Sequence, residues 1–286
     1  MDGASTDTEP EATARHDDDD EAPRGPPANA FTKLMAPKKK AAASAPPPSS
    51  TAAAPAPPKD RMGLGAYLAD PASLPASVVI RHDAAFVAIR DRYPKATVHA
   101  LLLPRDPACV LRHPFDALAD PALLAAVRAQ VDSLRVLVAA ELRRRLGCHS
   151  ASDAARQAVL DGSAAPESPS PSSGPPALPP GRDWAADVVC GVHAVPSMRH
   201  LHIHVLSRDM HSPALRHRKH YNSFATPFFV DVADFPLADD DPRRDPGAMG
   251  YLRRDLRCWR CGKTFGNQFK RFKEHLDVEF EAWKRI

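Results

Sequence analysis

From Pro121 to Arg145, in PALLAAVRAQVDSLRVLVAAELRRR, apolar residues recur at three- and four-residue intervals, a proline opens the run and three arginines close it. That spacing lays one apolar stripe along a 3.6-residue repeat. The ends suit the polarity of a helix, so the segment predicts a long amphipathic helix. Elsewhere the apolar runs are short and strand-like. SVVIRHD (77–83) and AAFVAIRDRY (84–93) predict two strands turning at His82–Asp83, and ATVHALLLPRD (96–106) a third, closed by Pro104. WAADVVCGVHAVP (184–196) and HLHIHVLS (200–207) add two more across a tight PSMR connection, and GLGAYLADPASL (63–74) predicts a short helix ending at Pro71. One long helix with several turn-linked strands predicts an α+β domain on a mainly antiparallel sheet.

Two stretches carry no such pattern. Residues Met1 to Lys59 and about 151–180 are rich in Pro, Ala and Ser and predict disorder. The remainder, roughly 190 residues, suffices for one compact core plus a small stapled module. The expected organisation is a tail over 1–60, a catalytic domain over 61–232 interrupted by the 151–180 insert, and a C-terminal domain over 233–286. Within the tail, NAFTKLMAPKKK (29–40) places Phe31, Leu34 and Met35 on one helical face beside Lys38 to Lys40. That combination suits a docking peptide for a protein partner with a basic nuclear-import cluster. No apolar leader and no long apolar run is present, so neither secretion nor a membrane span is expected. Five cysteines, an odd number, argue against a disulfide framework and for a reducing compartment. The net charge of +3 matters less than its distribution, with acid at Asp17 to Glu21 and base from Arg243 onward, which points to an anionic partner for the C-terminal half.

His200, His202 and His204 alternate with Leu201, Ile203 and Val205. On a strand the three imidazoles would share one face and the apolar residues the other. Such a face suits a transition metal or phosphoryl chemistry with an imidazole nucleophile, and a polar solvent-facing edge is the plain alternative. These residues alone leave the three open. By itself, Asp91 to Lys95 is a charged turn, and His193 an ordinary structural histidine.

HLHIHVL (200–206) resembles the signature of the histidine-triad nucleotide hydrolases and transferases. GVHAVPSMRHLHIHVLSRDMHSPALRHRKHYNSF (191–224) and FVAIRDRYPKATVHALLLP (86–104) resemble, more specifically, the aprataxin branch of DNA deadenylases. The resemblance runs from about Gly63 to the C-terminus, apart from the insert. It implies a histidine-triad fold and a monomeric nuclear DNA repair hydrolase that removes AMP from adenylated 5′ ends left by aborted ligation. His202 would be the nucleophile, forming a covalent AMP–histidine intermediate, with His200 orienting it and His204 binding a non-bridging oxygen. His193, as an imidazole titrating near neutrality, would assist departure of the DNA 5′-phosphate. Asp91 would hold the ribose hydroxyls and Lys95 a phosphate, within a motif that includes Arg92, Tyr93 and Pro94. Ser197 and Ser207 would donate to phosphates, Lys219 would neutralise DNA phosphate, and His211 and Ser212 would contact the strand. No metal is implied for this step. The tail stands where animal members carry a forkhead-associated domain, so recruitment of a repair protein would run through Phe31 to Lys40 instead or be absent.

Near the C-terminus, Cys258, Cys261 and His275 follow C-x2-C-x13-H, and Glu279 lies one helical turn on. The spacing is that of one structural zinc ion. No histidine follows His275, so Glu279 is the expected fourth ligand, a variant that fungal aprataxins resemble. Phe265, Phe269 and Phe272 would form a small core that needs the metal to fold. Lys263, Lys270, Arg271 and Lys273 would face outward toward DNA phosphates. Two other functions fit parts of the chain: a general histidine-triad hydrolase of small adenylates, and a non-catalytic zinc-finger DNA-binding protein. The finger and Lys219 weigh against the first, the intact triad against the second.

Overall fold

The computed structural model describes residues 59–165 and 178–286, so the expected docking and import motif at 29–40 lies outside the described residues. Six antiparallel strands form one sheet: β1 (Val79–His82), β2 (Phe86–Arg90), β3 (His99–Pro104), β4 (Val188–His193), β5 (Ile203–Ser207) and β6 (Phe229–Asp231). Their order is β1-β2-β3-β5-β4-β6. The helices are α1 (Gly65–Ala69), α2 (Pro114–Ala117), α3 (Pro121–Leu146), α4 (Ala154–Leu160), α5 (Arg218–Ala225) and α6 (Phe269–Trp283). None of the described helices is long and apolar enough to cross a membrane.

Helix α3 begins where Asp120 accepts a hydrogen bond from the Ala122 amide at 2.9 Å, with Pro121 in the first turn. Its stripe of Leu124, Val127, Val131, Leu134, Val138 and Leu142 packs on Ala100, Leu102, Cys190, Val192, Ile203 and Val205 of the sheet. On the opposite face Val87, Ile89, Leu101 and Leu103 pack with Leu64. Strand β3 is therefore covered on both sides, which explains why HALLLP is almost continuously apolar.

Three expectations need correction. The triad strand begins at Ile203, so His200 and His202 precede the ladder and only His204 is held by it, opposite Leu101 and Gly191. The insert is ordered at its base: α4 occupies part of it, and buried Asp153 accepts from the Arg182 amide (2.9 Å) and Trp184 Nε1 (2.7 Å). The Arg182 guanidinium lies 4.2 and 4.6 Å from the rings of Trp184 and Trp283 and pairs with Asp187 at 2.7 Å. Composition averaged over the whole stretch hides this anchor. Lastly, the finger has no core of its own. Phe272, Leu276 and Cys258 pack with Ala96, Leu206, Met210 and Tyr221, while Phe280 and Trp283 join the core beneath α3. Phe265 and Phe269 sit at the edge, and Lys273 turns inward, its ammonium donating to the carbonyls of Ser212 (2.8 Å) and Leu215 (3.0 Å). Lys263, Lys270 and Arg271 are exposed, as expected.

Candidate active site

A cavity of about 760 Å³ opens on the face of the sheet away from α3, lined among others by Asp91, Lys95, His99, His193, His202 and His204. Burial makes the charged form of each imidazole costly. It holds His202 below the usual histidine range and His204 well below it, and moves His99 down to about 4 and His193 to about 3. Near neutral pH each ring therefore carries one proton, and the hydrogen bonds say where.

His202 Nδ1 lies 2.7 Å from the His200 carbonyl oxygen. A carbonyl only accepts, so Nδ1 bears the proton and Nε2 keeps its lone pair. The Lys95 amide donates to His99 Nδ1 at 3.1 Å, which puts the His99 proton on Nε2. That Nε2–H donates to His204 Nδ1 at 2.9 Å, so His204 carries its proton on Nε2, an atom buried without a protein partner. The pair thus presents a nucleophilic nitrogen from His202 and a donor from His204. His200 contributes through its backbone: its ring is outside the cavity lining and packs on Gly65, where an added Cβ would fall 2.9 Å from Nε2.

His99 was missed by sequence reasoning. Asp91 Oδ2 stands 3.5 Å from His99 Nε2, while Oδ1 accepts from the Tyr93 amide at 2.7 Å. Asp91, His99 and His204 bring ligand atoms within 4.8 Å of one another, but a cation there would displace the His99–His204 hydrogen bond. Lys95 donates to the Tyr93 carbonyl, and burial holds its ammonium below the usual range. Arg92 and Tyr93 line the rim, with Tyr93 61% exposed. Ser197 also lines it, on a loop whose Pro196 and Ser197 carbonyls accept from Arg61. His193 Nε2 is buried without a partner, and its ring lies 4.5 Å from that of His204. Phe224 sets its edge or face against His99, His193 and His204, a contact that sequence alone did not single out.

Other residues expected to contact phosphate or DNA lie outside the cavity lining. Ser207 is fully buried, its hydroxyl held by the Val98 amide (3.1 Å) and carbonyl (3.3 Å), so it cannot reach a phosphate. Ser212 is buried and donates to the Pro94 carbonyl at 2.6 Å, which makes Pro94 and Ser212 a brace for the Asp91–Lys95 loop. His211 stacks on Phe280 at 3.9 Å and pairs with Asp277 at 3.4 Å. Lys219 is exposed in the first turn of α5, outside the cavity lining, whereas its neighbour His220 lines it.

At the far end, Cys258, Cys261, His275 and Glu279 each bring a ligand atom within 4.8 Å of the others. Cys261 Sγ is 3.1 Å and Glu279 Oε1 3.4 Å from His275 Nε2. Tetrahedral zinc at its usual bond lengths sets ligands roughly 3.3–3.8 Å apart, so this donor set fits zinc in chemistry and in gathering. Arg260 donates to Glu279 Oε2 at 2.6 Å and holds that carboxyl below its usual range.

Residues 73–211 match the HIT domain, and 225–282 the C2HE / C2H2 / C2HC zinc-binding finger. An aprataxin-like protein of Schizosaccharomyces pombe is 31% identical, covering 78% of this chain and 82% of the relative. One from Saccharomyces cerevisiae is 31% identical over 78% of this chain and 96% of its own length. The aprataxin ortholog Hnt3, solved in complex with DNA, superposes with a TM-score of 0.58 at 28% identity, over 78% of this chain and 96% of that one. A second Hnt3 structure, with DNA and guanosine, gives 0.57 at 29%, over 78% and 97%. A histidine-triad sheet with its proton pattern set from the backbone, a carboxylate-containing finger fused to it, and this agreement over most of both chains place the protein in the aprataxin family.

Proposed function

We propose that the chain is a DNA repair hydrolase acting in the nucleus, which releases AMP from adenylated 5′ DNA ends through a covalent AMP–His202 intermediate. The observation that carries this is the proton arrangement: Nε2 of His202 is left as a lone pair by the His200 carbonyl, beside an unpartnered Nε2–H of His204. In the first step His202 Nε2 attacks the adenylate phosphorus, and the bond to the oxygen of the DNA 5′-phosphate breaks. The positive charge left on the ring is shared through Nδ1–H with the His200 carbonyl. His204 donates to a non-bridging oxygen, where charge accumulates. Water then attacks the phosphorus and gives up a proton to solvent, the P–Nε2 bond breaks to release AMP, and the bonding pair returns to Nε2, restoring neutral His202.

His193 does not titrate near neutrality by itself. Burial moves its pKa down to about 3, so the ring is neutral before substrate enters. The leaving phosphate has a second pKa of about 6 and departs near neutrality with little protonation. The charge of the incoming phosphate raises that pKa, and the unpartnered Nε2, once protonated, can donate to the departing phosphate. Asp91 stands at the cavity for the ribose hydroxyls and Lys95 for a phosphate, while Lys219, Lys263, Lys270 and Arg271 offer exposed charge to the DNA backbone. DNA as partner is supported by the Hnt3 complexes and by the finger. Zinc, when bound by Cys258, Cys261, His275 and Glu279, supplies a structural crosslink.

The test compares wild type with His202→Ala on adenylated nicked duplex and on adenosine phosphoramidate. Wild type should release AMP from the nick in preference to the small adenylate. The variant should bind the nick and release nothing. Turnover by the variant, or preference for the phosphoramidate, would overturn the assignment.

A further inference from the structure

Replacing the second histidine of a finger by a glutamate creates two difficulties that the metal alone does not solve. Two thiolates, a neutral imidazole and a carboxylate leave a zinc centre with one net negative charge, where two cysteines and two histidines leave it neutral. A carboxylate also has two oxygens on a rotatable stem, and binding requires one of them to stay aimed at the metal. Arg260, between the two cysteines in C-W-R-C, answers both. Its Nη1 lies 2.6 Å from Glu279 Oε2, while Glu279 Oε1 points to His275 Nε2 at 3.4 Å. The pair is partly enclosed, with side-chain exposures of 33% for Arg260 and 12% for Glu279, so solvent does not wholly screen it. Among the described residues, Arg260 is the only cationic side chain hydrogen-bonded to this carboxylate.

We propose that Arg260 is an outer-sphere member of the metal centre: it neutralises Glu279 and holds one of its oxygens away, making the glutamate a single-oxygen zinc ligand. Residues that hydrogen-bond a metal ligand fix its orientation, and their loss commonly weakens metal binding about 10- to 100-fold. The geometry assigns that task here to a residue inside the cysteine knuckle, so one short loop supplies two ligands and the support for a third from α6.

The experiment measures zinc affinity of the full chain by competition with a chromophoric chelator, with no DNA present, and follows cobalt absorption as a report on tetrahedral geometry. Arg260→Ala should weaken zinc about 10- to 100-fold. Arg260→Lys should recover part of the loss, because it restores charge without the planar fork. In a Glu279→His background, where nothing remains for the guanidinium to hold, adding Arg260→Ala should change affinity by less than about threefold. Unchanged affinity in Arg260→Ala would overturn the proposal, and so would an equal loss in both backgrounds, which would mean that Arg260 acts through the knuckle backbone. Weakened DNA binding with unchanged zinc affinity would make Arg260 a DNA contact and overturn it as well. The readout does not depend on the hydrolase assignment, which can fail separately in the AMP-release assay.

Discussion

His99 decides where two protons lie. It takes one hydrogen bond from the Lys95 amide and returns one to His204, so the cavity donor is set by a main-chain group two residues beyond Tyr93. His99→Leu should keep the fold and lose that control. AMP release in single-turnover experiments should fall about 100-fold, in the range expected for a misplaced proton. A variant within a factor of about three of wild type would contradict the relay. The pH dependence follows from the same burial. The reactive form of His202 is the neutral one, and its pKa in the folded chain lies below 6.5. The acid limb of kcat/KM, which reports the free enzyme, should therefore be centred below 6.5, with no loss from this source above it. A midpoint at or above 6.5 would show that the ring is not desolvated as described.

At the scale of elements, the anchor of the insert is the clearest case of sequence-distant residues doing one job. Asp153 and Arg182 close the excursion between α4 and β4, and the buried carboxylate takes two hydrogen bonds. Asp153→Ala should cost roughly 2–4 kcal/mol in urea unfolding. Replacing 166–177 by a short Gly/Ser linker should cost little, because loop closure depends only weakly on length. Comparable losses from both changes would place the stabilisation elsewhere. This division also explains what was legible in the chain. Helix α3, expected over 121–145 and found over Pro121–Leu146, is written in a local period. His99 was not legible, because its importance comes from β3 pairing with β5, over a hundred residues on, and strand neighbours are not encoded locally. The place of the His200 ring was not legible for a related reason: alternation was visible, but not that the ladder starts at Ile203. Ser207 and Ser212 matched a motif, yet burial gave their hydroxyls to the backbone.

Over the whole molecule, finger and catalytic half behave as one body. The Tyr221 hydroxyl donates to the Arg257 carbonyl at 2.8 Å and accepts from the Trp259 amide at 3.0 Å, tying the knuckle to α5. Lys273 grips Ser212, which in turn braces Pro94. Removing zinc should therefore lower the Tm of a single calorimetric transition and reduce hydrolysis of small adenylates along with DNA binding. Two separated transitions, or intact small-adenylate turnover, would show an independent module. Acid should act on the same body. The unfolded chain takes up protons on His99 and His193 near 6.5, the folded chain only near 4 and 3. Stability from this source is full above 6.5 and falls as pH drops from there through 4 to about 3. The seam where the halves meet has one more property. All three tryptophans of the chain lie in it, Trp184 edge-on against Trp283 at 5.9 Å and Trp259 against Trp283 at 6.2 Å, with the Arg182 guanidinium close to both of the first two rings. Intrinsic tryptophan fluorescence in this protein is consequently a built-in optical gauge of that junction, read from side chains that do not line the cavity and without any need for a label.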